Sequence, residues 1–325
     1  MAIPLSLSEP AHAREPPPMR DDVVDKLIAG DAPTLARCIT LMETGGPTAD
    51  LLHQRICRHV GRAAIIGFTG APGTGKSTLI DAYIGVLRAR GLKVAVAAVD
   101  PSSPISGGAI LGDRVRMRRH AEDSDVFIRS VASRGHLGGL SESIHRIVDV
   151  MDAAGRDVII IETVGTGQSE VEVAEIADLC VVVNAPNMGD DVQAMKAGVL
   201  EIADVLVVNK ADLPLAARTA EQLKNMLKLR REKLDVPVVE TVATKATGID
   251  TLFAAIAGRL PRAGGDRQKI RERRMRRLIA ESAARIVRDR IRDTACGELE
   301  QLVRAAASGE IGIAETARRA LKTVV

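Results

Sequence analysis

The 325-residue sequence is poor in aromatic side chains, with no tryptophan, one tyrosine and three phenylalanines. Proteins that recognise single-stranded RNA or DNA usually stack bases on aromatic rings, so this scarcity argues against such a partner. The formal net charge of +3 is too small to indicate nucleic-acid binding by itself. We therefore expect no nucleic acid among the partners of this chain.

The sequence also lacks paired cysteines, a long apolar run and a secretion signal. The cysteines form no CxxC pair and are scattered at Cys38, Cys57, Cys180 and Cys296. This pattern is typical of small buried side chains in a reducing compartment. No apolar stretch approaches the roughly 20 residues of a membrane-spanning helix. Residues 1–20 are proline-rich, interrupted by charge and predicted to be disordered. We expect a cytoplasmic protein that does not contact membranes.

The middle of the chain consists of short β-branched runs that alternate with longer helical patterns. Seven runs end in glycine or polar turns, at 63–70, 94–101, 125–133, 157–165, 179–186, 205–212 and 236–244. Unbroken apolar strands are typical of parallel sheets covered by helices on both faces. We predict an α/β domain over residues 61–262 with a mainly parallel sheet. Its functional loops should lie at the carboxyl ends of the strands.

Helical spacing predicts helices on both sides of this domain. Residues 21–60 form a predicted N-terminal extension of three short helices. The segment PRAGGD resembles a linker, and residues 263–325 beyond it begin with a very basic helical stretch. An apolar stripe in this stretch contains Met275, Ile279, Ser282 and Ile286. We predict that this C-terminal arm mediates dimerisation, the alternative being that it packs on its own domain.

A glycine-rich segment between the first predicted strand and the next helix matches the phosphate-binding pattern GxxxxGK[ST]. Its glycines allow backbone N–H groups to point at phosphates, and the following helix adds its positive end. Lys76 of this segment reaches β- and γ-phosphate oxygens, and the Ser77 hydroxyl binds Mg²⁺. The predicted nucleotide-binding residues here are Gly70, Ala71, Pro72, Gly73, Thr74, Gly75, Lys76, Ser77 and Thr78.

Two later loops predict a preference for guanine, and hence for GTP and GDP. In the NKAD segment, the Asp212 carboxylate can accept hydrogen bonds from guanine N1–H and the exocyclic amine, which adenine does not offer together. Asn209 supports the loop, and the Lys210 stem can lie against the base. The segment TVATKATGID resembles the last guanine-contacting loop of GTPases, where the usual Ser-Ala-x is replaced by Val242, Ala243 and Thr244.

The stretch ETVG at the end of the fourth predicted strand resembles the segment that binds Mg²⁺ and senses the γ-phosphate. Glu162 can hold Mg²⁺ directly or through water, and the Gly165 amide can contact the γ-phosphate. The position that often holds a water-orienting glutamine is Thr166, and the nearest glutamine is Gln168. We therefore expect slow hydrolysis by the chain alone.

Three further acidic positions and one lysine follow predicted strands. Asp100 in VDPSSP and Asp113 in GGAILGDRVRM are candidates for Mg²⁺ or switch residues, or else are simple turn aspartates. Asp190 and Lys196 lie in a polar stretch beside the predicted site, and a solvated loop is the alternative for both.

Taken together, GAPGTGKST, VDPSSP, ILGDRVRM, ETVGTGQSE and NKAD resemble the MeaB/ArgK/MMAA family of P-loop GTPases over most of the chain. The resemblance implies a homodimeric chaperone of methylmalonyl-CoA mutase. Such proteins gate delivery of adenosylcobalamin to the mutase, protect it from inactivation and are stimulated by it to hydrolyse GTP. The resemblance also implies a catalytic and metal cluster, a switch coupled to the mutase and a dimerising C-terminal arm. The cluster is Lys76, Ser77, Asp100, Asp113 and Glu162; the switch contains Asp190 and Lys196.

Two alternatives remain at the level of sequence. A metallochaperone GTPase usually carries histidine-rich or cysteine motifs, whereas the six histidines here are scattered. A small-molecule kinase would also use a phosphate-binding loop, but NKAD indicates a guanine switch instead.

Overall fold

The computed structural model describes residues 22–100, 117–120, 122–132, 142–163, 169–186, 200–228, 235–261, 265–293 and 297–324. The strands are β1 (Ala64–Thr69), β2 (Val94–Asp100), β3 (Val126–Ala132), β4 (Val158–Thr163), β5 (Leu179–Asn184), β6 (Val205–Asn209) and β7 (Val238–Thr241). The first helices are α1 (Asp22–Ile28), α2 (Ala32–Thr44), α3 (Pro47–Ile56), α4 (Lys76–Arg88), α5 (Glu142–Ala153) and α6 (Ser169–Ile176). The later helices are α7 (Ala216–Lys228), α8 (Ile249–Ala257), α9 (Gly265–Asp293), α10 (Gly297–Ala307) and α11 (Ile313–Val324).

These strands form one parallel sheet in the order β3-β2-β4-β1-β5-β6-β7. Central β1 pairs with β4 and β5, and every residue of these three strands and of β6 is buried. Such burial is expected of strands covered on both faces. The structure confirms the predicted α/β fold, and each of the seven predicted runs contains a strand.

Helices cover the two faces of the sheet with different sets of apolar side chains. On one face, α4 and α8 share an apolar cluster with strands across the sheet, and Tyr83 of α4 lies 5.8 Å from Phe68, measured between ring centroids. On the other face, α5 and α6 share a cluster with the three predicted N-terminal helices, where Leu27, Ile39 and Leu52 are fully buried. Each such side chain contributes roughly 1.5–3 kcal/mol. The N-terminal helices therefore extend the core of the sheet domain.

Local signals explain where α2 begins and ends. Asp31 precedes the helix, and its carboxylate accepts a hydrogen bond from Thr34 N at 2.9 Å, while Pro33 occupies the first turn. Gly45 follows the helix with φ of 74°. Capping by aspartate and proline at one end and glycine at the other fixes the length of this helix.

The C-terminal arm begins as one long helix, α9, whose first half contacts the sheet domain. Arg271 donates to Cys57 O at 2.6 Å and to Val60 O at 3.3 Å, and Arg274 forms an ion pair with Asp178. Leu278 is buried on the same side of the helix. The predicted stripe therefore divides: Met275 lines this contact, whereas its other members lie farther along the arm.

Beyond this contact, the arm exposes apolar side chains. Ile279 is 63% exposed and Ile286 is 50% exposed, and exposed apolar residues continue at Val303, Ile313 and Leu321. In the part of the chain with described helices, none is both long and apolar enough to cross a bilayer.

Candidate nucleotide-binding site

The predicted phosphate-binding loop joins β1 to α4 at the carboxyl edge of the sheet. Its first glycine, Gly70, has φ of 138°, and a Cβ there would lie 2.1 Å from Val183 O. Gly75 precedes α4 with φ of 88°. At position 70, only glycine fits both the backbone conformation and the close approach to β5, which explains the residue type there.

The lysine of this loop is held inside it. Lys76 is buried, and its Nζ donates to Gly70 O at 2.7 Å and to Ala71 O at 3.1 Å. The ammonium group thus lies beside the loop backbone, next to the N-terminus of α4. A loop of this kind offers both a positive side chain and helix N–H groups to phosphate oxygens.

A hydroxyl and a carboxylate meet at the start of α4. The Oγ atom of Ser77 donates to Oε1 of Glu162 at 2.7 Å, and both side chains are buried. Glu162 lies near the end of β4, which pairs with β1. Oxygen donors of this type suit Mg²⁺, so the structure brings together two of the four predicted metal-binding residues in a set that fits this ion.

Of the other predicted acidic and switch residues, Asp100 lies among the residues that the structure describes. Asp100 is the last residue of β2, next to β4 in the sheet. Asp113, Gly165, Asp190 and Lys196 lie outside the described residues. Within the ranges given above, no group of three or more histidine, cysteine, aspartate or glutamate side chains forms a metal site.

Asn209, at the end of β6, connects the phosphate loop to both predicted base loops. Its Nδ2 donates to Thr74 O at 2.9 Å, and its Oδ1 accepts from Thr241 Oγ1 and from Ala243 N, each at 3.2 Å. The side chain is almost fully buried. This bonding pattern accounts for an asparagine here, because one amide supplies a donor and an acceptor in opposite directions.

The next residue of the NKAD segment also contacts the phosphate loop. Lys210 has φ of 58°, a left-handed conformation in which the chain turns away from β6, so the strand ends before the segment is complete. The Nζ atom of Lys210 donates to Gly73 O at 2.7 Å. This places the lysine stem across the top of the loop, consistent with its predicted position against a base.

The carboxylate of Asp212, the predicted guanine selector, is accessible and has a basic neighbour. Asp212 Oδ2 accepts a hydrogen bond from Lys245 Nζ at 3.0 Å, and this bond is the largest cause that lowers the pKa of Asp212. Lys245 ends a 3₁₀ turn, Ala243–Lys245, in which Ala243 is buried and Thr244 is exposed.

Sequence reasoning identified most of these side chains but missed Lys245 and Thr241. Both lie in or beside the TVATKATGID segment, whose predicted contacts were the three residues that replace Ser-Ala-x. A lysine directly after that triplet, which could pair with the aspartate predicted to select the base, is the signal that could have identified Lys245. The contact of Thr241 with Asn209 depends on strand register and has no local sequence signal.

Comparison with known proteins gives consistent matches. A family model described as Methylmalonyl Co-A mutase-associated GTPase MeaB matches residues 35–300. The chain is 42% identical over 316 residues to a protein of Pyrococcus abyssi named as a GTPase, with 94% of this chain and 97% of that protein covered. It is 40% identical over 243 residues to the GTPase ArgK of Escherichia coli, covering 72% and 73% of the two chains. A solved structure of a LAO/AO transport system kinase is similar with a TM-score of 0.71 and 28% identity, covering 93% of this chain and 96% of that one.

Proposed function

The chain belongs to the MeaB family of methylmalonyl-CoA mutase-associated GTPases, and we propose that it is a GTP-dependent chaperone of this mutase. In this role it gates delivery of adenosylcobalamin to the mutase and protects the mutase from inactivation. The observation that carries the proposal is the family match, which spans the nucleotide loops and continues through α9 of the arm into α10. The geometry of the phosphate and base loops supports the nucleotide part of the role.

In this proposal, the described residues have separate tasks at the nucleotide. Lys76 and the loop backbone bind the phosphates, Ser77 and Glu162 hold Mg²⁺, and Asp212 selects guanine. When bound, Mg²⁺ would supply positive charge that neutralises the phosphates, while the protein groups position the nucleotide. Asp100 and Asp113 complete the acidic cluster, and the Gly165 amide contacts the γ-phosphate.

The switch that communicates with the mutase is proposed to contain Asp190 and Lys196. Positioning and electrostatics supply most of the catalysis in phosphoryl transfer, so a missing group can leave several kcal/mol of barrier for a partner to remove. Neither Thr166 nor Gln168 occupies the usual position of a water-orienting glutamine. We therefore expect a slow basal rate and stimulation by the mutase.

The chain is also proposed to be a cytoplasmic homodimer. Exposed apolar side chains on the distal arm, such as Ile279 and Ile286, support a twofold contact between copies. The described cysteines are free thiols, as is usual in reducing compartments. Light scattering on a chain truncated after Gly264 tests the dimer. A truncated chain that remained dimeric would contradict it.

Steady-state phosphate release with and without purified mutase tests the chaperone role. Wild type should be slow alone and faster with the mutase. Asp190→Ala and Lys196→Ala should keep the basal rate and lose the stimulation. Lys224→Ala on the exposed face of α7 is a matched control, and Lys76→Ala should lack hydrolysis altogether.

The same assay distinguishes this function from two others. A fast basal rate that the mutase does not change would leave a GTPase with another client, such as a metalloenzyme. Formation of a phosphorylated small molecule in place of free phosphate would indicate a kinase, the activity for which the similar LAO/AO transport system protein is named.

A further inference from the structure

Lys245 faces the base-selecting carboxylate from a separate loop. Its Nζ lies 3.0 Å from Oδ2 of Asp212, and the two side chains are 65% and 40% exposed. Ion pairs this exposed add little to folding stability, so stability does not explain the contact well. The pair instead lies at the rim of the predicted base site, where an ordered carboxylate has a direct use.

The fold fixes the backbone of both partners before any base is bound. On the Lys245 side, Val242 N donates to Thr247 O at 3.0 Å, and Lys245 N donates to Val242 O at 3.0 Å. The turn closes at Gly248, where φ is 78° and a Cβ would lie 2.2 Å from Glu240 O. A side chain at position 248 would therefore displace the turn that presents the lysine.

On the other side, the NKAD loop is tied to the same turn. Ala211 N donates to Thr241 O at 3.0 Å, and Asn209 Oδ1 accepts from Ala243 N at 3.2 Å. These two bonds hold the loops at a constant separation. The Lys245 and Asp212 side chains therefore meet across a gap that the backbone sets.

A carboxylate can accept from the lysine and from a base at the same time. Each of its oxygens has two lone pairs, and the lysine uses one on Oδ2. Guanine presents two parallel donors, N1–H and the 2-amino group, which need one lone pair on each oxygen. Three donors thus fit the carboxylate, provided that it keeps the orientation that the lysine sets.

We propose that Lys245 is a specificity-determining positioning residue, whose ammonium group holds the Asp212 carboxylate oriented to accept both hydrogen bonds from a guanine base. The inference rests on the proposed role of Asp212 as guanine selector. It predicts that Lys245 favours guanine over hypoxanthine, because hypoxanthine lacks the 2-amino donor and gains less from a fixed carboxylate.

The charges around Asp212 support this assignment. The hydrogen bond and the charge of Lys245 both lower the pKa of Asp212, and burial opposes them. Lys210, two residues earlier, donates its hydrogen bond to Gly73 O rather than to the Asp212 carboxylate. Loss of the Lys245 charge should therefore raise the pKa of Asp212 and reduce the fraction of ionised carboxylate at acidic pH.

Calorimetric titration of the full-length chain with GDP and with IDP tests the inference. Lys245→Gln should weaken GDP binding by about 3- to 10-fold, the range of a partly exposed charged contact, and IDP binding by less. The ratio of GDP affinity to IDP affinity should therefore decrease. Lys245→Arg should restore most of the preference, and Lys224→Gln on α7 should change neither affinity.

A pH series separates positioning from a merely structural role. In wild type, GDP affinity should persist until the lowered pKa of Asp212 is approached from above. In Lys245→Gln, the loss should begin at a higher pH. An unchanged GDP/IDP preference and pH profile in Lys245→Gln would overturn the inference. Tighter GDP binding would overturn it too, because the lysine would then be a competitor of the base.

Asp212→Asn, measured in parallel, distinguishes this failure from failure of the underlying site. That variant should shift preference from GDP toward XDP, since an amide can donate to the xanthine carbonyl. If it does so while Lys245→Gln behaves as wild type, only the role of Lys245 is wrong. If Asp212→Asn keeps its guanine preference, both the guanine site and the role of Lys245 are wrong.

Discussion

The proximal and distal halves of the C-terminal arm differ in how they meet their surroundings. The proximal half of α9 uses arginines: Arg271 binds backbone carbonyls near the start of β1, Arg274 pairs with Asp178, and Arg277 pairs with Glu175 of α6. The distal half of the arm, which consists of α9 from Ile279 onward with α10 and α11, presents apolar side chains to solvent. One basic helical segment therefore makes charged contacts with the sheet domain at its start and leaves apolar side chains exposed farther along.

This difference shows that the arm is part of the sheet domain at one end and a free surface at the other. Asp178 makes the point, because its Oδ1 accepts from Arg274 while its Oδ2 accepts from Ile65 N of β1 at 2.8 Å. Asp178 thus links the proximal arm directly to β1, the strand that leads into the phosphate loop. Displacement of the arm would break this link to β1.

The largest expected effect is on the distal half. Replacing Ile279 and Ile286 together by glutamate should abolish the proposed dimer, because charge at an apolar twofold contact is left without a partner. The melting temperature of the monomer should stay within a few degrees of wild type, since neither side chain is in the core. Light scattering and thermal unfolding measure the two properties.

The matched control for that pair is Arg288→Glu, an exposed position on the same helix. It should remain dimeric. If the double isoleucine variant also kept its dimeric mass, the distal surface would have another use, and the comparison between the two halves would lose its functional meaning.

The next effect concerns the buried ion pair of the proximal half. Arg274→Met should lower the free energy of unfolding by about 3–5 kcal/mol, because it leaves the buried Asp178 carboxylate without its cation. Urea unfolding measures this change, with Arg276→Met on the exposed side of α9 as the control. A loss below about 1 kcal/mol would mean that water replaces the arginine and that the arm is not anchored there.

A smaller effect is expected from pH. His53 of α3 donates to Asp149 of α5 at 2.7 Å, beside the cavity under Arg271 and Arg274, and this bond raises the pKa of His53 from 6.5 to about 9. The pair stabilises the fold fully below pH 6.5, and this contribution is lost as pH rises through 9. In urea unfolding, the free energy of unfolding of wild type should therefore fall by about 2–3 kcal/mol between pH 7 and pH 10. This fall should be absent in His53→Gln. Equal losses in both proteins would assign the pH dependence to other groups.

The smallest effect should come from Arg277→Met. This arginine pairs with Glu175, but both side chains are more than a third exposed. Water screens the pair, so unfolding free energy should fall by less than about 1 kcal/mol. Comparing it with Arg274→Met by urea unfolding tests whether burial, rather than charge, distinguishes the contacts. Similar losses in the two variants would contradict that explanation.

Local patterns predicted much of this molecule because they depend on neighbouring residues. β-branched runs located all seven strands, and the glycine spacing of residues 70–78 identified the loop that folds around Lys76. The NKAD segment likewise identified Asn209 and its supporting role. In each case the chemistry requires residue types at a fixed spacing, which a single sequence displays directly.

Contacts between distant segments were not predictable in the same way. The carboxylate of Asp152 on α5 accepts from the N–H groups of Gly61, Arg62 and Ala63, and nothing near either segment indicates this. Helical spacing detected an apolar stripe on α9 but could not show that Met275 faces the sheet domain while Ile279 faces solvent. Periodicity gives the face of a helix, whereas the surface that covers it depends on the tertiary fold.

The amide of Asn209 has a consequence for the affinity of the nucleotide. It binds the phosphate loop through Nδ2 and the last base loop through Oδ1, so the three loops form one rigid cradle whose ordering cost is met during folding. Guanosine and pyrophosphate, offered as separate fragments, should each bind with far lower affinity than GDP, which contacts all three loops at once. Displacement of the base loops would therefore also displace the phosphate loop, because Asn209 is hydrogen-bonded to both.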